Sequence, residues 1–275
     1  MLLAFDVGNT NIVMGVYREA ELIQFWRMET NQGKSADEYG ILISQLLERE
    51  KLSTGDIDDI IISSVVPSMS YTLQHLSQKY FSKRALIVGP GIKTGLIVKY
   101  DNPKQLGADR IVNSVAAAEK YPLPLIVIDY GTATTMCAVS DKKEYLGGVI
   151  LPGIKIAADA LFEKTAKLPK VEIDPPEHVI CRNTNEGIQA GVVYGNMGMT
   201  EYLVDRMKKE ISEYIGEEKP ITVIATGGLS TMMASGVSCI DHVDKMLTLT
   251  GLQILYEKNK SCFASKKAKK EYDEY

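Results

Sequence analysis

The sequence predicts an α/β protein made of two similar lobes with mixed sheets flanked by helices, and three observations predict it. An apolar strand that runs into Asp-x-Gly and then a second apolar strand occurs twice, at Asp6-Val7-Gly8-Asn9-Thr10-Asn11 and at Asp129-Tyr130-Gly131-Thr132-Ala133-Thr134-Thr135. Each copy opens the same series of three strands followed by alternating helix and strand. The 275 residues, 45% hydrophobic and 24% charged, suffice for one large or two modest cores. The expected division is 1–115 and 116–258, with 259–275 a polar and disordered tail.

The elements follow in order. Residues 2–8 and 12–17 form a hairpin, and Glu21 to Met28 mixes apolar and polar residues at period two as a third strand. Ser35 to Leu52 places Tyr39, Ile41, Leu42, Ile43, Leu46 and Leu47 at helical spacing, and Ser35 with Glu38 makes a capping box. Asp59 to Val66 is a buried strand stopped by Pro67; a helix over 68–80 and a strand over 85–88 follow. A loop with Tyr100, Asp101, Asn102 and Pro103 leads to Gly107-Ala108-Asp109-Arg110 and a helix to Lys120. The series restarts with strands at 125–129, 134–139 and 144–150, helices at 154–165 and 185–215, a strand at 221–225, a helix or turn, and a last helix at 247–258.

Composition excludes several classes. The net charge of −4 gives no footprint for nucleic acid, and the basic run Lys266-Lys267-Ala268-Lys269-Lys270 is followed at once by acidic residues. No apolar run is long enough to span a membrane, and the N-terminus carries no cleavage signature, so an unprocessed cytoplasmic protein is expected. Cys137, Cys181, Cys239 and Cys262 are scattered, which argues for reduced thiols and against zinc. His75, His178 and His242 leave little for a histidine-based mechanism.

The motifs point to phosphoryl transfer. In the first, glycine lets backbone approach a phosphate, Asn9 and Thr10 offer donors, and Asp6 at a strand end can hold Mg²⁺ directly or through water. Alone, Asp, Gly and Asn make an equally good tight hairpin. The second copy, with three threonines behind Asp129 and Gly131, is harder to explain as turn chemistry; there Asp129 can serve a second cation and Thr132 a phosphate. Two such hairpins facing each other across a cleft would clamp phosphates between carboxylates. Thr226-Gly227-Gly228 after a strand suits a shelf for a nucleotide base, although Gly-Gly also marks ordinary turns. There is no GxxxxGK[ST], so a P-loop is excluded. Asp109 can accept the proton of an attacking hydroxyl and Arg110 can grip a carboxylate, or the pair can simply cap a helix and sit on the surface. The glycine-rich Gly147-Gly148-Val149-Ile150-Leu151-Pro152-Gly153 either lines a substrate pocket or connects strand to helix.

Together these segments, with Ser64-Val65-Val66-Pro67, resemble the type III pantothenate kinases of the acetate and sugar kinase/Hsp70/actin superfamily, in family order from residue 6 to about 255. The resemblance implies ribonuclease H-like (actin-like ATPase) lobes with the active site between them, and ATP-dependent phosphorylation of pantothenate to 4′-phosphopantothenate, the first step of coenzyme A biosynthesis. It implies a first phosphate loop of Asp6, Val7, Gly8, Asn9, Thr10, Asn11, Ile12 and Val13, with Asp6 near Mg²⁺, and an ATP contact from Thr132. Asp129 would ligate K⁺ or NH₄⁺. Asp109 would be the general base, and Tyr100, Gly107, Ala108, Asp109 and Arg110 would hold pantothenate. Thr184 would reach it from the partner subunit of a homodimer. Tyr130 fills a slot that the family lets vary. Two other expectations compete: a kinase or phosphatase of the same superfamily with a different acceptor, and a nucleotide-binding regulator that has lost turnover.

Overall fold

A computed structural model describes the backbone of residues 1–273 and the side chains of residues 1–263. The chain divides into two compact units, one of Met1–Gly95, Asn102–Ala116 and Thr248–Tyr275, the other of Leu96–Asp101 and Ala117–Leu247. A single boundary near residue 115 therefore gives way to an exchange of segments, with 96–101 and the C-terminal helix each joining the other half's unit.

The first unit holds a five-stranded sheet of order β3-β2-β1-β4-β5, from β1 (Leu2–Val7), β2 (Asn11–Arg18), β3 (Glu21–Glu29), β4 (Asp59–Ser64) and β5 (Leu86–Ile87). β1, β2 and β3 are antiparallel neighbours, whereas β4 lies parallel to β1 and to β5. Two helices fill one face, α1 (Ala36–Arg49) and α2 (Pro67–Phe81). Because side chains alternate along a strand, Leu3, Phe5 and Val7 share a face with Ile60 and Ile62. They join Tyr39, Ile43 and Leu47 of α1, spaced by four, and Met69, Leu73 and Leu76 of α2 in one core. Each such apolar side chain contributes about 1.5–3 kcal/mol on burial. The expected capping box is present: Ser35 accepts from the Glu38 backbone N–H, and the Glu38 carboxylate accepts from the Ser35 N–H. Two further helices belong in whole or part to this unit, α3 (Ala108–Lys120) and α7 (Leu247–Asp273). Tyr256 of α7 donates to Asp59 at 2.7 Å, and Thr248 donates to Asn113 of α3 at 2.7 Å.

The second unit holds a six-stranded sheet of order β11-β10-β7-β8-β9-β6. Its strands are β6 (Ile97–Val98), β7 (Leu125–Tyr130), β8 (Ala133–Val139), β9 (Glu144–Pro152), β10 (Thr222–Thr226) and β11 (His242–Val243). The repeat seen in the sequence is real in the fold. β9-β8-β7-β10 reproduces β3-β2-β1-β4 in order and direction, and β1 and β7 have the same burial position by position. Its helices are α4 (Ile154–Lys164), α5 (Thr184–Ile215) and α6 (Ser230–Ala234). Ile126, Ile128 and Tyr130 pack with Val223 and Ala225 and with the apolar face of α5.

Three segments differ from the sequence expectation. β6 and β11 are two-residue strands, too short for any periodicity to show. The last helix, expected to end at 258, continues in backbone to Asp273. The basic run and the disorder expected of the tail fall mainly on residues 264–275, whose side chains, like the backbone of 274–275, lie outside the described residues.

Candidate active site

The first Asp-x-Gly loop joins β1 to β2. The Gly8 N–H donates to the Asn11 carbonyl at 2.9 Å, closing the turn. Thr30, just past β3, fastens it twice: its hydroxyl donates to the Gly8 carbonyl at 2.7 Å and its N–H to the Thr10 carbonyl at 2.9 Å. Asn9 and Thr10 are exposed. Gly8 does not take a left-handed φ, so it is there for space: a Cβ would sit 3.3 Å from the Asn11 carbonyl oxygen. Asp6 is in register with Ser63 of parallel β4, so the two side chains share a face, and the buried Ser63 hydroxyl has no hydrogen-bond partner in the protein. A carboxylate beside an unsatisfied hydroxyl is the oxygen chemistry that Mg²⁺ takes.

The second loop joins β7 to β8 and is one residue shorter, with Gly131 and Thr132 between the strands. It is crowded by glycines from two other segments. A Cβ on Gly153, at the start of α4, would fall on the Thr132 carbonyl oxygen. Gly227 has φ +92°, and a Cβ there would lie 2.5 Å from Asp129 Oδ1 and 2.6 Å from the Tyr130 carbonyl oxygen. Only glycine fits either place. Asp129 is in register with the buried Thr226, which precedes Gly227. The structure thus brings together three motifs far apart in sequence: the Asp129–Thr132 loop, the end of the Gly147–Gly153 segment, and Thr226-Gly227. A carboxylate, a hydroxyl and backbone carbonyls side by side offer the all-oxygen donors of an alkali cation.

Asp109 is the second residue of α3 and is partly buried. Its carboxyl accepts the Arg110 backbone N–H at 2.8 Å. Burial pushes its pKa above the ordinary carboxylate value, against the opposing pull of that N–H and of the Arg110 charge. Gly107 leaves room for the carboxyl, since a Cβ there would lie 2.5 Å from Asp109 Oδ1. Arg110 is only 6% exposed, which overturns the surface-pair alternative. Tyr100 belongs to the other unit, where its ring meets the buried Tyr145 edge-on at 6.2 Å.

Thr184 is the exposed first residue of α5, and the Asn183 side chain caps the helix by accepting the Glu186 N–H at 2.9 Å. Thr184 borders a mostly apolar groove of about 590 Å³ between α4 and α5, lined also by Ala157, Leu161, Gly187, Gly191 and Met199. Sequence reasoning missed this groove. Its signal was the run of Gly187, Gly191, Gly195 and Gly198, all with open space where a Cβ would be. Among the described residues no three or more His, Cys, Asp or Glu side chains cluster as a metal cage, and no helix is long and apolar enough to cross a membrane.

The family model for type III pantothenate kinase matches residues 2–206. Among solved structures, the chain is similar to a Campylobacter jejuni protein described as a Baf family transcriptional activator, at 20% identity over 94% of this chain and 99% of that one, TM-score 0.58. It is also similar to the activator of 2-hydroxyisocaproyl-CoA dehydratase from Clostridium difficile, solved with bound ADPNP, at 12% identity over 97% of each chain, TM-score 0.51. A third is component A of (R)-2-hydroxyglutaryl-CoA dehydratase from Acidaminococcus fermentans, at 14% identity over 95% and 98%, TM-score 0.50. These likenesses show the fold, a mixed α/β architecture with two sheets and flanking helices. The family match takes in both Asp-x-Gly loops and the segment of Asp109, and the chain belongs to the type III pantothenate kinase family, as an ATP-dependent kinase of that type.

Proposed function

We propose that the protein phosphorylates pantothenate to 4′-phosphopantothenate with ATP, the entry reaction of coenzyme A biosynthesis, in the cytoplasm. The observation that carries this reading is the family match over residues 2–206, which contains every residue assigned a role below. The geometry of the individual sites supports it.

Residues Asp6 to Val13 receive phosphates of the nucleotide, and Thr132 adds a donor from the second loop. Asp6 holds Mg²⁺, which when bound neutralises charge on the transferring phosphoryl group. Asp129 holds K⁺ or NH₄⁺, with oxygens of its neighbours completing the donor set. Asp109 takes the proton of the primary hydroxyl as the phosphorus–oxygen bond forms. A carboxylate destabilised by burial and steadied by one N–H is a better base than a solvated one. Arg110 meets the carboxylate of pantothenate, and Tyr100, Gly107 and Ala108 are further pantothenate-binding residues. Phosphoryl transfer leaves little covalent work for the protein, so positioning and charge neutralisation carry most of the rate.

The homodimer is part of the same reading, with Thr184 serving the partner's site. Helix α5 supports it. Glycine in a helix interior costs about 1 kcal/mol relative to alanine, and Gly187, Gly191, Gly195 and Gly198 have nothing within 4 Å of a Cβ position. Close approach of a second copy along this face would explain why no side chain fills it. Sedimentation equilibrium tests this, and a monomer at enzyme-assay concentrations that turns over fully would remove Thr184 from the site.

Mass-spectrometric detection of phosphorylated pantothenate after incubation with Mg·ATP tests the reaction. Its absence, with a different hydroxyl acceptor phosphorylated instead, would move the enzyme to another substrate. The Campylobacter protein's description raises a second reading, a nucleotide-binding regulator; nucleotide binding without transfer to any acceptor would favour that.

A further inference from the structure

We infer that Tyr130 is a positioning residue for the second nucleotide loop, acting through Thr200 of α5; the inference rests on the nucleotide role proposed above for Thr132. Tyr130 stands between Asp129 and Gly131, as the last residue of β7 before the loop. Its backbone carbonyl faces Gly227, where a Cβ would come within 2.6 Å. Its side chain is part of the core and is 2% exposed. There the phenol oxygen lies 3.1 Å from Thr200 Oγ1, itself on a residue 2% exposed. The direction of this bond follows from counting hydrogens. Thr200 has one hydroxyl hydrogen and gives it to the Asn196 carbonyl at 2.9 Å, so the phenol donates to Thr200.

A directed chain therefore runs from the loop, through Tyr130 and Thr200, to the backbone of α5. The equivalent residue of the first hairpin is Val7, buried and apolar, which can make no such bond. There the loop is fastened by Thr30 instead. A polar side chain is costly to place in a core unless its hydrogen bond is made. At this position valine shows that an apolar residue satisfies the fold. The tyrosine adds a fixed distance between the loop and a 32-residue helix. Facing Tyr130 across the hairpin, the buried Thr134 hydroxyl has no hydrogen-bond partner in the protein, so the phenol is the polar anchor of this strand pair.

The test is the affinity of Mg·ADPNP by titration calorimetry for wild type, Tyr130→Phe, Thr200→Val and Thr200→Ser, together with KM for ATP and kcat. A tether worth one net hydrogen bond predicts about 2- to 10-fold weaker binding in Tyr130→Phe and Thr200→Val, with wild-type affinity restored in Thr200→Ser. KM for ATP should rise by the same factor while kcat at saturating ATP stays within about twofold. A residue that only stabilised the core would lower the melting temperature and leave these constants alone at a temperature where all four proteins are folded. Equal affinities across the four would overturn the tether and leave the nucleotide reading intact. Failure of the wild type itself to bind would overturn the nucleotide reading and the tether with it. If one substitution prevents folding, the other, read against Thr200→Ser, decides alone.

Discussion

The two Asp-x-Gly hairpins have the same strand lengths to within one residue and the same burial along their first strands, yet they hold their loops by different means. The first loop is tied by hydrogen bonds from Thr30 and leaves Asn9 and Thr10 open to solvent. The second is wedged, with Gly153 and Gly227 so close that no side chain fits. A hydrogen-bonded loop tolerates a small change in volume, whereas a wedged one does not. One scaffold thus supports an adaptable site and a fixed one, as expected if the first loop gathers phosphates of a mobile nucleotide and the second sets a cation.

The largest effect expected from a single substitution lies outside both hairpins. Asp109→Asn should lower kcat by about 10²–10⁴-fold, the usual worth of a general base, and leave Mg·ADPNP affinity within about twofold, because neither loop depends on it. If affinity fell in step with kcat, Asp109 would be holding nucleotide instead.

The next test breaks the comparison itself. Gly153→Ala and Gly227→Ala should each destabilise the protein by about 2–4 kcal/mol in denaturant melts, since a Cβ would meet backbone or a strained φ. Gly8→Ala, whose Cβ needs only a few tenths of an ångström, should cost below about 1 kcal/mol. Equal costs at the three positions would mean that the second loop is not wedged. Thr30→Val should cost about 0.5–1.5 kcal/mol through the lost bond to Gly8 and raise KM for ATP without lowering kcat.

The smallest effect is on pH dependence. Burial raises the Asp109 pKa, so ionising it opposes folding. The native state binds the extra proton between the unfolded and folded values, and stability from this group is therefore lost as pH rises through that window. Asp109→Asn should melt no lower than wild type at neutral pH. In the wild type, kcat/KM should fall on acidification from a midpoint above that of a solvated aspartate. A profile with its midpoint at or below the ordinary aspartate value would remove the raised pKa from the mechanism.

Much of this was legible in the sequence, because continuous apolar strands ending in Asp-x-Gly carry both the fold and the loops. The Ser35–Glu38 capping box and the ends of α5 were equally local signals. What escaped was non-local. The two-residue β6 exists only because β9 supplies its partner, and it carries Tyr100 into the second unit. α7 belongs with the first unit through contacts such as Tyr256 with Asp59, 197 residues apart. In the sequence Gly227 reads as a base shelf or a turn and Gly153 as pocket lining or a connector; in the structure both admit the carbonyl and carboxyl oxygens of a distant loop. The α4–α5 groove leaves only a run of helical glycines as its trace.

The most direct measurement is ADP release from the purified protein with Mg·ATP, with and without pantothenate, in Na⁺ and then in K⁺ or NH₄⁺. The account predicts turnover only when pantothenate and K⁺ or NH₄⁺ are both present. Turnover that ignores pantothenate would contradict the proposed reaction, and equal turnover in Na⁺ would contradict the cation role of Asp129.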